Sequence, residues 1–197
     1  AGIKRTGSLA NRLSHGAVRM ASEYYVPIAP DVPSFRPGAA EDLPQVCQLE
    51  TASYPSDEAA SPAKLKYRLD NAPELFLVAD VGGAGDRKIV GFAVGTLAQG
   101  DTLTEESMDT HVPTGTSVCL HSVVVDLQHR RRGIATRMLK AYVQVVKGMV
   151  PQAKQILLIA KRHLIPLYEG AGFTLRGESA VVHGQDTWYE LALQLGT

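Results

Sequence analysis

Three consecutive arginines, Arg130, Arg131 and Arg132, run directly into Gly133, Ile134, Ala135 and Thr136. Before them lies an apolar run, Val118 to Val125, that reads as a buried strand. After them Met138, Leu139, Tyr142, Val145 and Val146 recur at helical spacing. A basic, glycine-containing turn between strand and helix presents free backbone N–H groups at the positive end of the helix dipole, a setting for phosphate or pyrophosphate. Gly133 and Ala135 are small enough to let such an anion reach the backbone. His121 stands on the same apolar run, and its imidazole titrates near neutral pH, so it can carry a proton beside the anion site.

These residues need a core to hold them. With 197 residues, 45% of them hydrophobic, the chain can bury one substantial core and is expected to form a single domain. Twenty Lys and Arg balance twenty Asp and Glu, so no global field recruits nucleic acid and the arginine turn is a local feature. No apolar run reaches the length of a membrane span. The two cysteines, Cys47 and Cys119, are few and distant in sequence; they read as small core thiols of a reduced, cytoplasmic protein. Ala1 to Ser22 carries no acidic residue but has Lys4, Arg5, Arg12 and Arg19 among serines. That composition fits an organellar transit peptide, a flexible basic arm or a short remnant at Ala1-Gly2. With Pro27, Pro30, Pro33 and Pro37 it makes residues 1–33 an arm, and residues 34–197 the folded domain.

Within that domain the coarse reading is α/β (α+β), a mixed sheet with flanking helices. Strands are expected at Ser34 to Arg36, Leu75 to Val81, Lys88 to Leu97, Val118 to Val125, Gln155 to Ala160, Phe173 to Glu178 and Thr187 to Leu193. Gly82 to Asp86 makes the second and third of these a hairpin. Helices are expected at Ala40 to Thr51, at Ser61 to Asn71 with Ser61 as cap and Pro62 at the first helical position, after Gly133, and at Ile165 to Gly170. Asp101 to Thr110 reads as a polar, helix-competent loop.

The strand, the Arg-x-x-Gly-x-Ala turn and the amphipathic helix resemble the acetyl-CoA motif of the GNAT N-acetyltransferases. Pro166-Leu167-Tyr168-Glu169-Gly170-Ala171-Gly172-Phe173 resembles the second signature of that family, and the likeness covers roughly Phe35 to Leu193. A narrower resemblance is to the arylalkylamine (serotonin) N-acetyltransferases. It lies in Gly95-Thr96-Leu97, Leu103 to Met108, His111-Val112-Pro113 and Leu120-His121-Ser122-Val123, and in Tyr54-Pro55 with Asp57 to Ser61, which is similar to the non-vertebrate branch.

The resemblance implies a mostly antiparallel central sheet and direct acetyl transfer from acetyl-CoA, without a metal, to a small primary amine in a ternary complex. Its catalytic residues here would be His121 as base and Tyr168 as the acid that protonates the departing thiolate. The arylalkylamine enzymes carry two histidines spaced by one residue, and Cys119 takes the place of the first. Coenzyme A would be held by the backbone of Val123, Val124 and Val125, by Arg130, Arg131, Arg132, Gly133, Ile134, Ala135 and Thr136, and by Tyr168. A bulge in the strand would free a backbone N–H to polarise the acetyl carbonyl. The amine would sit against Tyr54, Pro55, Leu97, Leu103, Pro113 and His121. A pocket lined instead by Asp57, Glu58, Glu105 or Glu106 would select polyamines, while protein N-termini and a non-catalytic acyl-CoA-binding module are further alternatives. A monomer or weak dimer is expected, with no nucleic-acid or membrane partner.

Overall fold

The apolar runs form one seven-stranded sheet in the computed structural model, which describes residues 32–82 and 86–196. Residues 1–31 of the arm expected at 1–33, and 83–85 of the hairpin turn expected at Gly82 to Asp86, lie outside the described residues. In chain order the strands are β1 (Ser34–Pro37), β2 (Phe76–Val81), β3 (Lys88–Ala98), β4 (Ser117–Val125), β5 (Gln155–Lys161), β6 (Thr174–Glu178) and β7 (Trp188–Gln194). Their spatial order is β1-β2-β3-β4-β5-β7-β6, antiparallel throughout except for the β4–β5 pair. A mixed sheet of this kind is what the alternation of strands and helices requires.

Helices cover both faces. The helices are α1 (Leu43–Ser53), α2 (Pro62–Asn71), α3 (Glu105–Asp109), α4 (Ile134–Met149) and α5 (Ile165–Glu169). α4 buries Ile134, Met138, Leu139, Tyr142 and Val146, a single stripe, against Leu97, Val118, Leu120, Ile156, Leu158 and Leu191. On the opposite face Val46 of α1 and Leu65 and Leu69 of α2 pack on Val78, Val94, Val124 and the stacked pair Phe76–Phe92.

Two expected elements are divided or reshaped. The helix expected from Ala40 is a 3-10 turn, Ala40–Asp42, followed by α1, because Pro44 lacks an N–H and is tolerated only in a first turn. The loop expected at Asp101 to Thr110 contains α3, nucleated by a capping box in which Thr104 Oγ1 accepts from Ser107 N at 3.2 Å and Thr104 N donates to Ser107 Oγ at 2.9 Å. Ser61 caps α2 by accepting from Lys64 N at 3.2 Å, with Pro62 at the first helical position as expected.

Candidate active site

The site begins where the sheet comes apart. β4 and β5 pair only from Ser117–Gln155 to Cys119–Leu157, although both strands continue to Val125 and Lys161. Beyond that point each strand keeps its outer partner, β3 or β7, and the gap between them opens into a cavity of about 1090 Å³. The turn after β4 forms one end. Arg131 has φ 64° and Gly133 φ 73°, so two left-handed residues curl the backbone and aim successive N–H groups the same way. No side chain caps α4, which leaves its first-turn amides at Gly133, Ile134, Ala135 and Thr136 for a ligand. These donors fit a pyrophosphate, and the unpaired edge of β4 at Val123 to Val125 fits the amide-bearing arm that continues from it in coenzyme A. Arg130 and Arg131 line the cavity, but the Arg130 side chain folds back, donating to Val125 O at 2.9 Å and Ser53 Oγ at 3.3 Å. Its side chain therefore braces the turn against α1.

The middle of the cavity is shaped by a bulge. β3 and β4 are in register at Val94–Ser122 and again at Gly95–Leu120, so His121 is the extra residue of β4. Regular alternation would send His121 and Ser122 to opposite faces; here His121 reaches Thr96 while Ser122 reaches Glu50 of α1, on the α1–α2 face. The His121 Nε2–Thr96 Oγ1 distance is 2.8 Å, and Nδ1 is buried with no partner. Burial holds this imidazole well below its ordinary range, and Arg68, Lys64 and His183 push it the same way, so it is neutral at pH 7. Cys119 is buried under Leu103 and Val181, and burial pushes its thiol to about 11. It cannot replace the absent histidine as a proton acceptor.

Tyr168 comes from α5, whose Pro166 starts a helix too short to do more than place this ring. It packs edge-on against Phe173, centroids 6.0 Å apart, and burial raises its phenol to about 12. Among the described residues its hydroxyl has no hydrogen-bond partner, and the ring lines the cavity. Tyr54 stands near it, facing the Val123 N–H; burial, then the neighbouring Tyr168 and Glu50, raises its phenol strongly.

The far end of the cavity carries charge that sequence reasoning missed or left aside. Glu50 is 1% exposed; its Oε1 accepts from Ala60 N at 2.8 Å and Ser122 Oγ at 3.2 Å. The available signal was a glutamate four residues after Val46, on the buried stripe of α1. Glu58 pairs with Lys161 at 2.7 Å, and Lys161 also holds Asp186 at 2.7 Å beneath Trp188. His183 bonds Glu58 O at 2.9 Å and packs on Trp188, closing the segment before β7 over this end. Met108 and Pro55 complete the wall.

The structure brings together Tyr54, Pro55, His121, Val123 to Val125, Arg130, Arg131, Gly133 to Thr136 and Tyr168 in this one cavity. Four expected residues lie elsewhere. Leu97 faces the α4 core, because β3 alternates without interruption and puts Leu97 on the side of Ala93 while Thr96 turns toward His121. Leu103 is buried among Ala98, Cys119 and Leu157, its N–H bonded to Glu190 at 2.9 Å. Pro113 is exposed, its carbonyl accepting from Gln152. Arg132 points into solvent at the outer side of the turn. Of the loop from Asp101 to Pro113 only Met108 reaches the cavity wall.

This geometry has relatives. The acetyltransferase (GNAT) family pattern matches residues 43–173. Serotonin N-acetyltransferase of Mesocricetus auratus is 29% identical over 164 residues, covering 82% of this chain and 77% of that one, and the Homo sapiens enzyme of the same name is 27% identical over the same shares. Among solved structures, the GphF GNAT-like decarboxylase in complex with isobutyryl-CoA superposes with TM-score 0.69 at 17% identity, over 83% of this chain and all of that one. The NatC complex bound to Gag peptide and CoA gives TM-score 0.66 at 19% identity, over 84% and 99%. The chain belongs to the acetyltransferase (GNAT) family, and acetyl-CoA is its cosubstrate.

Proposed function

We propose that this protein acetylates a primary arylalkylamine of the tryptamine or serotonin kind, by direct transfer from acetyl-CoA in a ternary complex. The carrying observation is one continuous cavity with an anion cradle at one end and Tyr54, Pro55, Met108 and Trp188 at the other. Flat aromatic and thioether walls suit an aryl ring, and the serotonin N-acetyltransferase relatives support the same acceptor class. In this reading the α4 amides hold the pyrophosphate and the Val123 N–H polarises the acetyl carbonyl. The amine nitrogen bonds to the carbonyl carbon, the C–S bond breaks, and Tyr168 gives its proton to sulfur. His121, neutral and beside the bulge, takes the proton that the attacking nitrogen sheds and returns it to the Tyr168 oxygen.

Glu50 and Glu58 in the same wall favour a second acceptor class, polyamines, whose several ammonium groups would meet two carboxylates. Thiol release from acetyl-CoA across tryptamine, phenylethylamine, spermidine and an N-terminal peptide separates these classes. Preference for tryptamine and phenylethylamine is expected. Turnover confined to spermidine or peptide would overturn the arylalkylamine reading, and coenzyme A binding without turnover of any amine would overturn both acceptor classes.

A further inference from the structure

Beyond the split between β4 and β5, two acids and an aromatic ring converge on one ammonium. Lys161, the last residue of β5, places its Nζ 2.7 Å from Glu58 Oε1, in the loop between α1 and α2. The same Nζ is 2.7 Å from Asp186 Oδ2, in the segment before β7, and 5.4 Å from the ring centroid of Trp188. Carboxylates and an aromatic face together are a setting for an ammonium ligand. Here the chain supplies that ammonium itself, on a residue that lines the cavity.

We propose that Lys161 is a specificity-determining residue: its ammonium fills the place that a second ammonium of the acceptor would take, and so excludes diamines and polyamines in favour of arylalkylamines. The proposal rests on the acceptor reading above and deepens it. The two acids are unequal. The Glu58 side chain is 3% exposed, so its charge is costly without a cation, whereas Asp186 is 60% exposed and hydrated. Among the described residues Lys161 is the only cation within 4 Å of Glu58. With Lys161 in place the buried charge is matched, and a second ammonium entering this end meets a like charge in poorly screened space. An aryl ring carries no charge and avoids that penalty.

The surroundings of this ammonium are fixed by contacts that do not involve it. Glu58 O accepts from His183 Nε2 at 2.9 Å, and a Cβ added at Gly184 would lie 2.9 Å from Glu58 Cγ, so the two segments pack closely here. Trp188 Nε1 donates to His183 O, and the two rings meet edge-on with centroids 5.4 Å apart. Truncating Lys161 therefore leaves a preformed space with an acid on one side and an indole on the other. Hydrogen bonds to Asp186 and Glu58 hold the Lys161 amine above its ordinary range, so it stays an ammonium wherever the acceptor is one.

The test is the ratio of kcat/KM for spermidine to kcat/KM for tryptamine, both taken on one sample of the full chain so that the folded fraction cancels. In Lys161→Ala this ratio should rise about tenfold or more over wild type. Lys161→Arg keeps the charge and should hold the ratio within about threefold of wild type. Lys161→Ala combined with Glu58→Gln should lose the gain. A ratio within about threefold of wild type in Lys161→Ala, an equal rise in Lys161→Arg, or a gain that survives in the double variant overturns the proposal. A second readout needs no turnover: putrescine at about 10 mM should raise the Tm of Lys161→Ala by about 2 °C or more and leave that of wild type unchanged. Equal shifts, or none in the variant, overturn the proposal. Lys161→Ser carries the same expectations where Lys161→Ala does not fold. Wild-type preference for spermidine over tryptamine overturns both this proposal and the arylalkylamine reading. A wild type that turns over no amine overturns the acceptor reading alone, and the Tm comparison still decides whether Lys161 fills an ammonium site.

Discussion

Replacing Tyr168 by Phe removes one oxygen and keeps the ring in its edge-on contact with Phe173. Its consequence follows from the environment of that oxygen. Burial raises the phenol to about 12, while an ordinary thiol titrates at about 8.5, so complete transfer of the proton to a free thiolate is uphill by roughly 3.5 units, or about 5 kcal/mol. In the proposed reaction Tyr168 therefore does not give up its proton ahead of C–S cleavage: its hydrogen bond strengthens as that bond breaks, and transfer to sulfur completes only as His121 returns a proton to the phenolic oxygen. Loss of one such preorganised donor costs about 3 kcal/mol, a fall of about 100-fold in kcat. The assay is thiol release at saturating acetyl-CoA and tryptamine, alongside acetyl-CoA affinity from titration calorimetry. Affinity should change little, because the pyrophosphate cradle is built from α4 and not from α5. A kcat within about threefold of wild type, or a loss wholly accounted for by weaker acetyl-CoA binding, would refute the acid role.

Other parts of the molecule make independent predictions. In Gly95→Ala the new Cβ would sit 2.8 Å from Cys119 O and closer still to the Tyr142 hydroxyl, so thermal unfolding should show a loss of about 1–3 kcal/mol from overpacking. Gly133→Ala meets no neighbour but forces a side chain onto φ +73°, costing about 1–2 kcal/mol; calorimetry should find weaker acetyl-CoA binding as the cradle relaxes. Arg36 spans two buried acids, Asp42 and Asp80, at 2.7 Å each. Its hydrogen bonds hold the Asp42 carboxyl below its ordinary range, so that contribution is complete above about pH 4 and is lost as pH falls through the folded-state value. Arg36→Gln should lower stability at pH 7 by about 3 kcal/mol and flatten the acid limb of the Tm–pH curve. An unaltered acid limb would show that the pair carries no linkage.

Much of this architecture was readable from residue spacing because the underlying forces are local. The apolar stripe of α4 names its buried face. The Ser61–Pro62 start places α2, and the arginine–glycine run marks the left-handed turn that leads into α4. The bulge at His121 was implied only by resemblance, since an extra residue in a strand leaves no mark on composition and is set by how β3 and β4 pair. Leu97 lies on the α4 side for a simpler reason, the regular alternation of β3 that turns Thr96 toward His121. Leu103 and Pro113 were misplaced for a different reason: their loop is tied down by Glu190, His111 and Gln152, partners far away in sequence. Glu50 escaped notice because a glutamate in a helix reads as surface, and only packing shows it buried beside Ser122.

In the proposed reaction the anion cradle and the aromatic end of one cavity are occupied together during acetyl transfer to an arylalkylamine. Initial rates measured while acetyl-CoA and tryptamine are both varied test it most directly. N-acetyltryptamine and free thiol are expected in equal amounts, with double-reciprocal lines that intersect. Parallel lines, or thiol release without acetylated amine, would contradict it.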